Sequence, residues 1–493
     1  MPKVALFVVL LLAGYLAGVA AALFRVFPAE AVAGWLQVDD ASGADATSPS
    51  GSGASAGGRA STQSAAASPT PAGGRRPVRP PTDPRWHAAR SAASTPDSAA
   101  LEGLDVVPYL QGVKEAQGVG GVLVFDPQAA HTGLNLVTSG HAPEALLMDM
   151  KGNVLHRWAQ DFSSVWPGPL GAFEGSLNTT YWRRVHLYPN GDLLAIFEGI
   201  GLVKLDRNSQ VIWRHRGKEH HDLFVADDGS IYTLTRRKVA NDGSRPVGRR
   251  VIEDFVTVLS DDGVPLREVS ILDCIIASKY RSILTRRPPK ADILHSNTIE
   301  LLDGRHAERY PMFAAGHVLV SVRNLDMVAV LDLDRGEVVW AMTDLWRRQH
   351  QPTVLDNGHL LVFDNMGNNG KSRVLELDPL THALAWSYEG EPDMPLESGT
   401  LGSCQRLPNG NTLITESEPG RVIEVTPEGD VVWEFINPYR AGEAGELIAS
   451  LFEVVRLDWS YPQFDEVREV YEQARTMDLG NVEEMVKKLK RNR

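Results

Sequence analysis

Beyond residue 118 the chain is written in short runs of alternating apolar and polar positions, and the runs repeat. The unit is an apolar strand, a turn rich in Asn, Asp and Gly, a second apolar strand, a third ending in an Asp-containing turn, and a fourth ending in Trp. Three copies read LYPNGDLLAIFEGIGLVKLDRNSQVIW (187–213), TVLDNGHLLVFDNMGNNGKSRVLELDPLTHALAW (353–386) and RLPNGNTLITESEPGRVIEVTPEGDVVW (406–433). Short strands joined by Asn-Gly and Asp-Gly turns are hairpin signals, and four strands per repeat of this length fit the blades of a β-propeller. The closing tryptophans are Trp158, Trp213, Trp340, Trp386 and Trp433, with one interval of double length. That interval holds a unit without Trp, ending near Ile271. The sequence therefore predicts an all-β fold, a six-bladed propeller over 119–440, with each closing Trp packing between blades.

The flanks follow other patterns. Val4 to Phe24 carries no charge and is long enough to cross a bilayer as one helix, so residues 1–25 are expected to be a membrane anchor. A cleaved signal is the alternative, given the small residues Val19-Ala20-Ala21, although the run exceeds the ~7–15 residues usual for a signal core. Lys3 on the near side places the rest of the chain outside the cytoplasm, with Arg25 acting against this. The expected location is the inner membrane, single-pass, with the propeller facing the periplasm. Residues 26–118, rich in Ala, Ser, Gly and Pro, have too little apolar surface to fold and read as a flexible linker. The charged stretch 441–493 reads as a C-terminal helical tail.

Charge and cysteine content narrow the chemistry. With 43% hydrophobic residues the 493-residue chain can bury a full core, and its net charge of −13 argues against a general grip on nucleic acid. Two cysteines, Cys274 and Cys404, exclude a disulfide framework and a cysteine metal cluster; they are read as separate thiols.

A propeller brings the innermost strand of every blade to one axis, so residues at one register converge. His221 lies eight residues before the turn glycine Gly229, His350 eight before Gly358, and His295 nine before Gly304; the equivalent positions in other blades are Arg183 and Gly402. The third to fifth blades thus present histidine toward one mouth of the channel. One such His could be a bond within its blade, but three at one register point to a site. Imidazole can act as nucleophile, general base or metal ligand. Arg323, in the second strand of the fourth blade, can reach the same cavity with donors that suit a tetrahedral oxyanion. Asn297 shares a strand face with His295.

These segments, His220-His221-Asp222, His295-Ser296-Asn297, Ser321-Val322-Arg323 and Gln349-His350, resemble the bacterial arylsulfotransferases that work without a nucleotide sulfate donor. The resemblance covers about 119–440. It implies a six-bladed propeller that moves a sulfuryl group from an aryl sulfate ester to a phenolic acceptor by a ping-pong route, with no cofactor. It further implies that His350 is the nucleophile that becomes sulfohistidine. His221, His295 and Arg323 would then bind sulfuryl oxygens and assist proton transfer, and Asn297 would support the substrate. The family's extended N-terminal strand domain and paired-cysteine loop have no counterpart here. Two other readings stay open: a metal-dependent hydrolase whose three histidines hold the ion, and a non-catalytic propeller that binds a sulfated ligand or scaffolds an envelope complex. The insertion KYRSILTRRPPK (279–290) is placed near the entrance, where it would favour anionic substrates; a solvent-facing loop is the simpler alternative.

Overall fold

The computed structural model describes residues 86–88, 120–168, 177–441, 445–464, 467 and 469. The expected anchor, most of the expected linker and more than half of the expected helical tail lie outside these residues. Where the tail 441–493 is described, it holds strands rather than a helix over Leu447–Ala449 and Leu451–Leu457, because those apolar residues pair with other strands. Among the described residues no helix is long and apolar enough to cross a membrane.

Six antiparallel sheets form the blades. Blade two runs Val185–Leu187, Leu193–Phe197, Gly201–Leu205, Val211–His215, and blade three Glu219–Val225, Ile231–Ala240, Arg250–Leu259, Pro265–Ser270. Blade four is Ser296–Leu301, Val318–Val322, Met327–Asp332, Glu337–Thr343, and blade five His350–Val354, Leu360–Asn368, Lys371–Leu377, Leu384–Tyr388. Blade six begins with Ser403–Arg406, Thr412–Glu416, Arg421–Val425 and Val431–Ile436, and gains a fifth, outermost strand, Gly121–Phe125, from the start of the propeller. Blade one takes its innermost strand from Leu451–Leu457, beside Leu134–Ser139, Glu144–Met148 and Val154–Ala159. The ring is therefore closed at two blades by the two ends of the domain. It also extends past residue 440, where the written repeat stops. A further short strand within the expected linker, Trp86–Ala88, pairs with Leu447–Ala449.

Second and third strands read as continuous apolar runs because both of their faces are covered. Leu193–Phe197 and Val318–Val322 are buried at every position, whereas the outer strand Val211–His215 alternates. Among the described residues, six hydrophobic clusters fill the six spaces between successive blades, such as Leu134, Leu147, Leu193 and Phe197 between blades one and two. Each fully buried Leu, Val or Phe contributes about 1.5–3 kcal/mol by leaving water.

The closing tryptophans pack between blades as expected. Indole Nε1 of Trp158, Trp213, Trp386 and Trp433 donates to the next blade's Gly191, Asp261, Pro427 and Met150 carbonyls at 2.8–3.0 Å. Trp340 instead packs edge-on against Phe313. The two thiols are free, as read from the sequence; both are buried, and burial pushes both up to about 12.

Candidate functional site

All three histidine-bearing inner strands break register where the candidate residues sit. Ladder pairing skips from His220 to Leu223, from Ser296 to Thr298, and from His350 to Thr353. Such bulges re-aim side chains. Left-handed backbone accompanies them at His221 (φ 58°), His295 (φ 55°) and Gln351 (φ 44°), conformations that non-glycine residues adopt only where their surroundings hold them. The three histidines are thus not at one backbone address. His221 lies in a bulge, His295 just before its strand, and His350 at a paired position. The sixth blade has Gly402 there, at φ 98°, where a Cβ would meet the Phe363 ring at 2.5 Å, so no side chain fits.

The bulges bring the rings together. His221 and His295 meet edge to face with centroids 4.9 Å apart. His221 Nδ1 lies 2.8 Å from Nδ1 of His220 and 3.4 Å from Glu198, a carboxylate 3.6 Å from both Arg183 and Arg236. Burial, followed by the charges of its neighbours, holds His221 well below the usual imidazole range. His295 is partly exposed, and its Nδ1 lies 2.5 Å from the Asp292 carboxylate. Burial opposes the charge on Asp292, but the His295 hydrogen bond and the charges of His295, Lys290 and Arg236 together outweigh it and keep the carboxyl below its ordinary range.

His350 is the most constrained of the three. Its Nδ1 is 2.7 Å from Asn365 Oδ1 and 3.1 Å from the Arg348 carbonyl oxygen. The amide nitrogen of Asn365 donates to the Ser398 and Leu401 carbonyls at 2.7 and 2.6 Å, which fixes its oxygen toward the ring. Two acceptors face Nδ1, so Nδ1 carries the proton and Nε2 the lone pair. Burial first, and the charge of Arg323 second, hold His350 well below the usual imidazole range despite the bond to Asn365. The ring is neutral at neutral pH.

Arg323 opens a short turn after its strand, Arg323–Leu325, and is buried. Its guanidinium donates to Asn324 Oδ1 at 3.2 Å and forms no ion pair among the described residues. Asn297 is placed differently from expectation: its amide nitrogen donates to the Gln349 carbonyl at 2.9 Å, so it holds the residue preceding His350. Thr298 Oγ1 accepts from the Gln351 backbone N–H at 2.9 Å and holds the residue that follows.

Below the histidines an ion network crosses the channel. Asp222 of blade three, next to His221, pairs with Arg184 of blade two at 2.8 Å, and Arg184 also pairs with Glu453 of blade one. Gln351 of blade five, next to His350, donates to Glu453 at 2.8 Å. The bulges of blades three and five thus turn a histidine toward one side and its successor toward the network.

Sequence spacing missed Asn365, Asp292 and Glu198, because each acts through a neighbour on another strand or loop. The residue types that could hold a metal fall elsewhere than expected. Among the described residues the grouping with ligand atoms within 4.8 Å of one another is Glu198, His220 and His221, not the three histidines. Arg183 and Arg236 share its carboxylate, and positive charge at that distance disfavours a cation.

The family profile described as arylsulfotransferase (ASST) matches residues 184–438. No curated protein matches the chain. Among solved structures, the chain is similar to a protein of unknown function from Bacteroides caccae, at 12% identity and TM-score 0.42, over 62% of this chain and 94% of that one. It is also similar to virginiamycin B lyase from Staphylococcus aureus, at 11% identity and TM-score 0.32, over 52% of this chain and 69% of that one. Because the profile spans more than half of the sequence and includes blades two to six with every candidate residue, this chain belongs to the arylsulfotransferase family.

Proposed function

We propose that the protein transfers a sulfuryl group from an aryl sulfate ester to a phenolic acceptor through a covalent intermediate on His350. The observation that carries this reading is the state of His350: buried, neutral, and with Nδ1–H tied to Asn365, so that Nε2 alone is left to attack.

In the first half-reaction the Nε2 lone pair forms a bond to sulfur as the ester S–O bond breaks. The departing oxygen takes a proton from His295 Nε2 and leaves as phenol. The sulfuryl group stays on Nε2, and the retained Nδ1–H makes the ring an imidazolium, a good leaving group. Asn365 Oδ1 accepts from that increasingly acidic N–H. In the second half-reaction His295 removes the acceptor's proton, the acceptor oxygen attacks sulfur, and the N–S bond breaks. Arg323 and His221 donate to sulfuryl oxygens, where charge is concentrated in the transition state. The propeller would act outside the cytoplasm, tethered by the expected anchor 4–24; protease accessibility in intact cells and spheroplasts tests this placement.

Purified protein is expected to move sulfate from 4-nitrophenyl sulfate to phenol. Quenched without acceptor, it should carry a mass increment of one SO3 group on the peptide containing His350. His350→Ala should lose both turnover and adduct. Undiminished transfer by that variant would remove the nucleophile assignment, and metal-dependent turnover without an adduct would favour the hydrolase reading.

A further inference from the structure

Positive charge in this acidic chain is concentrated in two segments. Residues 236–250 hold six Lys and Arg against one Asp, and 279–290 hold five against none. Together they carry a net +10, which leaves −23 for the remainder of a chain whose total is −13.

The fold puts both segments on one wall at the site end of the propeller. The second and third strands of blade three, Ile231–Ala240 and Arg250–Leu259, stay paired past the end of the inner strand, and 236–250 is this extension and its tip. The insertion is anchored to the blade rather than a free solvent-facing loop. A helix, Ile271–Ala277, capped by the Ser270 side chain, leads into a short 3-10 segment, Arg281–Arg286, whose Leu284 is buried. Val239 and Val247 of the extension and Tyr280 and Ile283 of the insertion pack on one shared hydrophobic cluster. Ile252 N–H donates to the Ala291 carbonyl at 2.8 Å, one residue before Asp292, the partner of His295. A groove of about 340 Å³ between the two segments is lined by Pro246, Arg281, Ser282, Leu284, Thr285 and Arg287.

Two cations on this wall and one beside it act on the site itself. The charge of Arg236 reaches His220 and His221, that of Lys290 reaches Asp292, and Arg348 on the adjoining loop acts on Arg323. Arg237, Arg245 and Arg286 are paired with Glu268, Glu253 and Asp344. Exposed Lys238, Arg249, Arg250, Arg281 and Lys290 form no ion pair among the described residues. Clustered, unpaired and solvent-facing charge of one sign raises the local concentration of the opposite charge.

We propose that this wall is an exosite for a polyanionic polysaccharide, bearing carboxylate or sulfate groups, which it holds across the mouth of the site. The chemistry of the wall favours a glycan over a membrane. Leu123, Val154, Ile212, Val264, Leu266, Leu380 and Leu384 are the large exposed apolar side chains of the described residues, and none lies in either segment, so nothing there inserts into a bilayer. Aromatic platforms for stacking bases are lacking there too: Tyr280 is the single aromatic residue of the two segments and is half-buried against the core. The proposal deepens the sulfuryl-transfer reading by naming what carries the reacting group, but the binding stands apart from the chemistry.

The test uses full-length protein and fluorescein-labelled dextran sulfate, read by fluorescence anisotropy, with neutral dextran and phosphatidylglycerol vesicles as parallel probes. The variant K238E/R249E/R250E/R281E is compared with K151E/R305E/R309E/R335E, four exposed cations on turns at the opposite end of the blades. The first is expected to bind dextran sulfate at least about tenfold more weakly, the second within about twofold of wild type. Replacement of the same four wall cations by Gln gives the same direction should reversal impair folding, monitored by thermal melting. Equal losses in the two reversal variants, or wall-dependent capture of vesicles without binding of dextran sulfate, would overturn the exosite. Turnover of 4-nitrophenyl sulfate by the wall variant should match wild type. A wild-type protein inert toward aryl sulfates would sink the transfer reading and leave the binding result to decide the exosite alone.

Discussion

Replacing Asp292 with Asn isolates the proton-transfer role assigned to His295. The carboxylate sits 2.5 Å from Nδ1, with both side chains about one-quarter exposed. A charge-assisted hydrogen bond of this kind is worth about 1.5–3 kcal/mol, and Asn retains a carbonyl acceptor, so the substitution should remove about 1–2 kcal/mol. If that stabilisation is expressed as His295 protonates the departing oxygen, kcat/KM falls about 5–30-fold, but only where the leaving group needs the proton. Phenyl sulfate releases a basic phenolate and should show the full loss. With 4-nitrophenyl sulfate, whose phenolate is stable unprotonated, the loss should stay within about twofold. Rates over a series of substituted phenyl sulfates should therefore depend more steeply on leaving-group basicity in Asp292→Asn than in wild type. Parallel lines displaced by one constant factor would refute proton delivery through this pair and reduce Asp292 to a structural role. A thermal melt within a few degrees of wild type is the accompanying control.

Asn365→Ala should lower kcat at least about tenfold, because Nδ1–H then keeps only the 3.1 Å bond to the Arg348 carbonyl. It should also cost about 1–3 kcal/mol of stability, measured by denaturant unfolding, since the Leu401 carbonyl loses its donor and the Ser398 carbonyl keeps only Ser372 Oγ. Glu300 lines the channel, and burial pushes its carboxyl up to about 8. Because its folded pKa lies above the unfolded one, wild type loses stability as pH climbs from about 4.3 to 8. Glu300→Gln should therefore raise the melting temperature more at pH 8 than at pH 5; a gain independent of pH would contradict the neutral buried acid.

Much of the ring was legible in the sequence because each blade repeats its own turn chemistry and covers both faces of its middle strands with the same apolar runs. The tryptophans were legible for a similar reason: one large aromatic at one place in five of the six repeats has one packing job. The innermost strand of blade one was not legible, since Leu451–Leu457 carries no repeat around it and is recognised only by its pairing with Leu134–Ser139. In the site, spacing from turn glycines found His221, His295 and His350 but could not show the bulges that separate their backbone positions. Left-handed backbone at a histidine leaves no mark in composition, unlike a glycine. Asn365 and Asp292 escaped because their importance lies in one hydrogen bond each to a ring that was already in view. Asn297 was found by its place two residues after His295, a rule about strand faces that the bulge at that residue suspends.

Closure of the ring by Leu451–Leu457 has a consequence for biogenesis. Glu453, which joins Arg184 and Gln351 beneath the histidines, belongs to that last strand. During synthesis five blades can form their sheets while the channel stays open on one side and Arg184 lacks its second carboxylate. The network beneath the histidines is completed only after the C-terminal strand has emerged and found the first blade, so a nascent or prematurely terminated chain holds all its histidines above an Arg184 and a Gln351 that lack Glu453. The ion network of the channel is a property of the whole ring rather than of any one blade.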